Sequence, residues 1–379
     1  GGNVKKRYLF LGAIVLILLT CFSTIAGLYY LLGLGNTNSL QVFRFVNALR
    51  FIQTQYVNEV DNEKLITGAL KGMVNSLDDP HSVYLDEQMY KLLLEHTDGS
   101  FGGVGVVMGM REDKIPMVIA PIEGSPSELA GIKSGDQIIS VDGQDTRVLP
   151  FEEVAAKIRG EIGTQVVLTI RRDNADIDYI LTRSNIETIS VAGSMKREDI
   201  GYIRIASFNE HTATEFNKIY HELEEKGMKK VILDLRDNPG GILTVCTKIA
   251  EKFVPEGVIV STRDRAGNQE VFRSSLPEAK YPLVVLVNGG SASASEIVAG
   301  AIQDTGVGTL IGTKTYGKGS VQAVIPMANK DGMKLTIAKY YTPNDRCIDG
   351  IGIEPDITIE LDKEKDNQLE KAIEVLQGK

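Results

Sequence analysis

Hydrophobic and polar positions change rhythm several times along the chain, and each change predicts a different kind of element. Tyr8–Leu34 is an uncharged, strongly apolar run preceded by Lys5, Lys6 and Arg7. About 20 such residues suffice for a bilayer-crossing helix, and a basic flank stays cytoplasmic. The expectation is a cytoplasmic flank and transmembrane anchor over 1–35, with the rest of the chain extracytoplasmic and attached to the cell membrane by a single pass. Thr24-Ile25-Ala26 could serve as a signal-peptidase site, but the apolar run continues past it. Leu18-Leu19-Thr20-Cys21 faintly resembles a lipoprotein box, yet no polar segment follows. Gly1-Gly2 in place of Met suggests a processed chain.

Beyond a linker at Asn36–Asn38, a helical domain is expected over 36–97. Val42, Val46, Leu49, Ile52 and Tyr56 recur at helical spacing, and Asp61-Asn62-Glu63 reads as a helix start before Leu65, Leu70 and Met73. Ser76–Leu85, with Asp79-Pro80-His81 inside it, reads as a structural turn, because Pro ends helices and Asp caps them.

Residues 98–185 change character. Gly102-Gly103-Val104-Gly105-Val106-Val107 is glycine-rich and then β-branched, and Val118–Ile122 and Gln137–Val141 are strand-like. Asp142-Gly143 signals a tight turn, and Phe151–Arg159 reads as a helix. The run GSPSELAGIKSGDQIISVDG resembles a PDZ domain. The resemblance implies that the loop of Gly103, Val104, Gly105 and Val106 offers backbone N–H groups to a peptide C-terminal carboxylate. It also implies that Val154 and Ile158 line a groove where the peptide adds a strand.

Over 186–362 buried strands alternate with helices, the α/β pattern. Lys230–Leu235 and Pro282–Val287 are apolar strands, and each runs into a glycine turn, Asp237–Gly241 and Asn288–Gly290. The second turn leads into Ser291, Ser293 and Ser295 and an apolar helix, and Lys318 lies between two glycines further on. A serine at a strand-to-helix turn with a lysine returned beside it has the makings of a nucleophile and its base. Ser293 at the helix start would face an oxyanion with the helix's positive end. The same Ser293-Ala294-Ser295-Glu296 run is also a capping box, and Ser291 is the second candidate nucleophile. To accept a proton Lys318 must be neutral, which burial can arrange. Gln322 can orient its amine without adding charge. Asp234, Arg236 and Asp237 are expected to fix a loop. Residues 363–379 form a charged amphipathic helix.

Composition narrows the chemistry. The net charge is −9 and no basic run occurs outside the N-terminus, which argues against nucleic-acid binding. Three scattered cysteines and four isolated histidines supply neither a disulfide framework, a metal site nor a Cys–His pair, so no metal and no cofactor is expected.

LDLRDNPGG, VNGGSASASEIVAGAIQD, YGKGSVQ and YYTPNDRCIDGIGIEPDI, in this order around the PDZ-like segment, together resemble the C-terminal processing peptidases, serine peptidases of family S41. The resemblance runs from about residue 40 to 362. It implies a layered β/α protease core of the ClpP/crotonase-like kind over 186–362, with the β-rich PDZ domain inserted before it. Matched by motif, the nucleophile falls on Ser293, the general base on Lys318 and the assisting residue on Gln322. The oxyanion donors fall on the backbone of Gly241 and Ala294. The implied function is a membrane-tethered serine endopeptidase that takes proteins by their free C-termini, with the PDZ domain as a gate. Homodimerisation through 39–96 or the C-terminal helix is a further expectation. Two departures stand out: Asp78-Asp79 where the family has one Asp, and Asn344-Asp345 where Ser-Gly is common. An inert PDZ adaptor and a crotonase-like acyl enzyme remain as alternatives.

Overall fold

The structure, a computed structural model, describes residues 2–31, 39–110 and 115–378. It divides into two units, Gly1–Ser76 and Leu77–Lys379.

The first unit is helical: Gly2–Leu31, Ser39–Gln55 and Asn62–Asn75. Asp61 caps the third helix as expected, its carboxylate accepting from the amides of Glu63 and Lys64 at 2.9 and 3.1 Å. Among the described residues no helix is long and apolar enough to cross a membrane. The spanning anchor expected over Tyr8–Leu34 is therefore not shown; the last part of that run and the linker Asn36–Asn38 lie outside the described residues.

The second unit is built on a six-stranded sheet. Its order is Val191–Met195, Ile200–Ile205, Lys230–Asp234, Leu283–Val287, Gly308–Gly312 and Ile357–Thr358. All pairs after the first are parallel. Strands buried on both faces must be apolar throughout, and LVVLV is. Val231, Leu233, Val285 and Val287 pack with the helices Thr212–Glu225, Leu243–Ala250 and Ala294–Thr305. Ile232, Val284 and Leu286 face the C-terminal helix Asn367–Gln377, whose Ala372 and Leu376 are fully buried. That helix is therefore a layer of the core. The surface it was expected to give a second copy is, on its apolar side, already used.

Arg236 fastens the same helix. Its guanidinium donates to the buried Asp234 carboxylate and to Asp366 and Gln368 of the C-terminal segment. Asp234 and Arg236 thus serve the scaffold, as the sequence suggested.

A second sheet joins Val83–Leu85, Gly332–Tyr341, Gly257–Asp264 and Gln269–Ser274, with Ser320–Pro326 also on Gly332–Tyr341. Val83–Leu85 was expected inside a helical domain. It is instead a strand in antiparallel register with Gly332–Lys334. Val and Tyr favour the pleated surface, and the partner supplies the ladder.

The PDZ sheet runs Val106–Met110, Pro116–Pro121, Gln137–Val141, Gln165–Arg172 and Ala175–Thr182. Ser100–Gly103 and Ser184–Glu187 pair antiparallel, so the chain enters and leaves this domain side by side. Val154 and Ile158 do not line an open groove as expected. They are 0% and 4% exposed in the domain core with Val104, Ile138 and Leu168. The helix Phe151–Ile158 is short, and its apolar face is occupied closing that core. Gly103 is paired with Ser184, and Val106 begins an edge strand.

Candidate active site

The three serines after the Leu283–Val287 strand have separate fates. The Ser291 hydroxyl is buried, donating to the Leu235 carbonyl at 2.8 Å and accepting from the Asn288 amide at 3.0 Å. The Ser295 hydroxyl is buried and donates to the Asn238 carbonyl at 2.9 Å. Both hold the two glycine turns together. Ser293 alone of the three lines the adjoining cavity. Its backbone lies at φ 54°, ψ −114°, a conformation that non-glycine residues avoid. Strain of this kind persists only where surrounding contacts impose it, and it is concentrated at functional turns.

Those contacts come from Glu296. Its fully buried carboxylate accepts from the Ser293 amide (2.8 Å), the Thr315 hydroxyl (2.6 Å), the Gly317 amide (2.7 Å) and the Lys318 amide (2.9 Å). The capping box anticipated from the sequence is present. The same side chain also grips the loop that carries Lys318, a role invisible at i, i+3 spacing. Tyr340 adds a second link: its buried hydroxyl lies within hydrogen-bonding reach of the carbonyls of Lys318 and of Ser293 (3.2 Å).

The Asp237–Gly241 turn forms the facing wall. Its Asn238 carboxamide donates to the Ile205 carbonyl and accepts from the Gly240 amide, both at 2.9 Å. The Asn238 backbone carbonyl accepts from the Ala292 amide at 3.0 Å. A Cβ on Gly241, at φ 144°, would sit 2.1 Å from the Phe208 carbonyl oxygen, so only glycine fits. Phe208 bonds to the Gly240 carbonyl and the Ile242 amide. That leaves the Gly241 N–H, like the Ala294 N–H in the first helical turn, without a hydrogen-bond partner among the described residues. Asp237 pairs reciprocally with Asn288, amide to carboxamide and carboxamide to carboxylate, both at 2.9 Å.

These walls enclose a cavity of about 380 Å³ that Ser293, Lys318, Gln322, Gly241 and Ala294 all line. Five residues chosen from three separate motifs thus meet at one place. Lys318 is half-buried, and burial is the main influence drawing its amine below the ordinary 10.5. The Lys334 cation pulls the same way, while Asp79 and Glu296 oppose it. Glycines on both sides allow this seat: a Cβ on Gly319 would lie 2.4 Å from the Asp349 amide, and one on Gly317 2.9 Å from Gly352. Asp345 takes the left-handed conformation of the Asn344-Asp345 departure, at φ 60°. The Gln322 amide donates to Ser320 (2.9 Å) and Thr336 (3.3 Å) beside a register irregularity in its strand. Bulges of this kind re-aim side chains next to active sites.

Sequence reasoning missed Tyr340, Lys334 and His96, which line the same cavity, and the long-range grip of Glu296. Among the described residues no group of His, Cys, Asp or Glu has the arrangement to hold a metal.

An α/β core with an inserted PDZ domain and a strained serine turn over a cavity is the build of a PDZ-bearing peptidase. Comparison with known proteins agrees. Residues 199–359 match peptidase family S41, residues 117–172 a PDZ domain, and residues 35–89 the activating protease CtpB N-terminal domain. The carboxy-terminal-processing protease of Bartonella bacilliformis is 40% identical over 329 residues, covering 84% of this chain and 75% of that one. CtpB of Bacillus subtilis is 39% identical over 319 residues, covering 82% and 66%. The solved photosystem II D1 C-terminal processing protease superposes with a TM-score of 0.52 at 28% identity, covering 88% of this chain and 96% of that one. The chain belongs to peptidase family S41, among the carboxy-terminal processing proteases, and is a hydrolase of protein substrates.

Replacing Glu296 tests the clamp. Glu296→Gln keeps the shape but turns an amide donor toward groups that themselves donate. We expect kcat to fall by about 100-fold and stability by about 2–3 kcal/mol. Urea unfolding and peptide cleavage measure the two, and a variant with wild-type kcat would refute the clamp.

Proposed function

We propose that Ser293 is the nucleophile and Lys318 the general base of a peptide-bond hydrolase. The observation that carries this reading is the pairing of a strained serine with a half-buried lysine at one cavity, their backbones held by Glu296. Neutral Lys318 takes the Ser293 hydroxyl proton as the oxygen attacks the scissile carbonyl. The oxyanion then faces the amides of Gly241 and Ala294, and each such donor is worth about 3 kcal/mol of barrier. The lysine ammonium returns the proton to the leaving amine. Lys318 next deprotonates the water that hydrolyses the acyl-enzyme. Gln322, whose amide is engaged by Ser320 and Thr336, keeps its carbonyl oxygen for the lysine amine.

Ser293→Ala is expected to abolish cleavage of an unfolded protein while changing stability by only about 1 kcal/mol, the worth of a cap. Equal turnover by that variant would remove Ser293 as nucleophile. The folded-state pKa of Lys318 lies below 10.5, so between the folded and unfolded values the unfolded chain binds more protons. The ammonium therefore destabilises the fold below the folded value, and that penalty fades as pH rises toward 10.5. Lys318→Met should lose cleavage yet melt no lower than wild type at neutral pH. In the wild type, kcat/KM should climb with pH as Lys318 deprotonates, with its acid limb below 10.5; a flat profile would count against this base.

The PDZ domain is proposed to bind substrate C-termini and gate the site. The Ser100–Gly103 and Ser184–Glu187 pairing supports excising the domain cleanly, since Gly103 faces Ser184. Joining these strands by a short turn should change cleavage rate and specificity, and unchanged kinetics would sink the gate.

The apolar N-terminal run supports a membrane-anchored protease with its catalytic unit extracytoplasmic. The tethered protein should resist carbonate extraction from membranes and be digested by protease added from the outer side; release into the soluble fraction would contradict it. Exposed Phe43, Phe51 and Val57 in the helical unit support homodimerisation there, and a monomeric sedimentation mass would dispose of that.

A further inference from the structure

We propose that Lys334 is a specificity-determining residue that draws a substrate carboxylate into the catalytic cavity. The inference rests on the reading of that cavity as the active site. The chain carries a net charge of −9, yet no Asp or Glu is among the residues lining the cavity. Its ionisable side chains are Lys318, Lys334, His96 and the buried Tyr340. If Lys318 works as a neutral base, Lys334 is the lasting positive charge inside.

Lys334 sits in the Gly332–Tyr341 strand, in register with Val83 on one side and Val324 on the other. Val324, two positions beyond Gln322 on the neighbouring strand, lines the same cavity. The Lys334 charge opposes protonation of the Lys318 amine, so the two side chains lie near enough to interact electrostatically. Other lysines near this strand are matched. Lys330 pairs with Glu87 at 3.3 Å and Lys339 with Asp349 at 3.1 Å. Lys334 pairs with no carboxylate among the described residues. A half-buried ammonium in a cavity walled by Leu93, Val321, Val324 and Ile297 attracts an anion more strongly than one in open water. In a protease of protein substrates that anion is a carboxylate. It comes either from an Asp or Glu near the scissile bond or from the terminus of a short C-terminal tail.

The test uses the full chain and fluorogenic peptides that differ at one position, Glu, Gln or Lys, moved along both sides of the scissile bond. Each is made with a free and an amidated C-terminus. At low salt the wild type should favour Glu over Gln at one position, or free over amidated ends, by about fivefold in kcat/KM. The first result identifies a side-chain carboxylate and the second a terminal one. Lys334→Gln should abolish the preference, Lys334→Arg should keep it, and Lys334→Glu should turn it toward the Lys peptide. Retained preference in a folded Lys334→Gln variant, or no preference in the wild type, overturns the proposal. Undiminished turnover by Ser293→Ala would instead overturn the catalytic assignment, leaving the Glu-to-Gln ratio readable.

Discussion

One buried carboxylate organises the catalytic half of this protein. Glu296 accepts four hydrogen bonds, three from backbone amides and one from a hydroxyl. Its partners belong to two segments that sequence keeps apart, the turn at Ser293 and the loop of Thr315–Lys318. An unpaired carboxylate in such a place would be strongly unfavourable, so each partner depends on the other segment being correctly placed. The Ser293 backbone can be held at φ 54° because its amide is gripped from within its own helix while the Asp237–Gly241 turn blocks its other side. A Cβ on Gly240 would approach the Ala292 carbonyl oxygen to 2.7 Å and the Ala294 amide to 2.9 Å. The two turns are thus in backbone contact, and glycine is what permits it.

The sheet sets this contact up. Lys230–Asp234 and Leu283–Val287 are neighbouring parallel strands, so the turns leaving their ends must lie side by side. Ligand sites of open α/β sheets form at such strand ends. The buried hydroxyls of Ser291 and Ser295 reach across to the carbonyls of Leu235 and Asn238 and fix the separation. Only the residue between them is left to the cavity. The strands of the second sheet then bring Gln322 and Lys334 to the remaining wall, and the loop before Ser320–Pro326 brings Lys318.

Much of this was legible in the chain. The apolar strands and the helix after Ser293 followed from local pattern, while the PDZ segment and the meeting of Ser293, Lys318, Gln322, Gly241 and Ala294 were implied by resemblance to known families. What escaped has a common cause: it depends on partners distant in sequence. Val83–Leu85 is too short to show a period, and its strand partner lies near Lys334. Ser293 stood out by its helix-start position, but the carbonyls that claim Ser291 and Ser295 lie on a turn more than 50 residues away in sequence. Val154 and Ile158 form a legible helical face, but a face says only that it is apolar, not whether a ligand or the domain core will cover it; here the core does. Glu296 announces a cap and conceals a clamp.

The same clamp resolves an electrostatic difficulty. A lysine that must give up its proton is poorly served by a nearby carboxylate, and both Glu296 and Asp79 favour its charged form. Glu296, however, faces the Lys318 backbone amide, and its charge is met by four donors whose dipoles point at it. Asp79 is likewise engaged by the Ser82 hydroxyl at 2.6 Å and the His81 amide at 3.0 Å. Burial and Lys334 then prevail, and the amine falls below its ordinary value. Lys334 therefore has two effects that compete once substrate arrives. Without substrate its charge adds to burial in drawing the Lys318 amine down, but a carboxylate bound to it cancels part of that field. On the proposed role of Lys334, such a site gains selectivity for an anionic substrate at some expense in base strength at low pH.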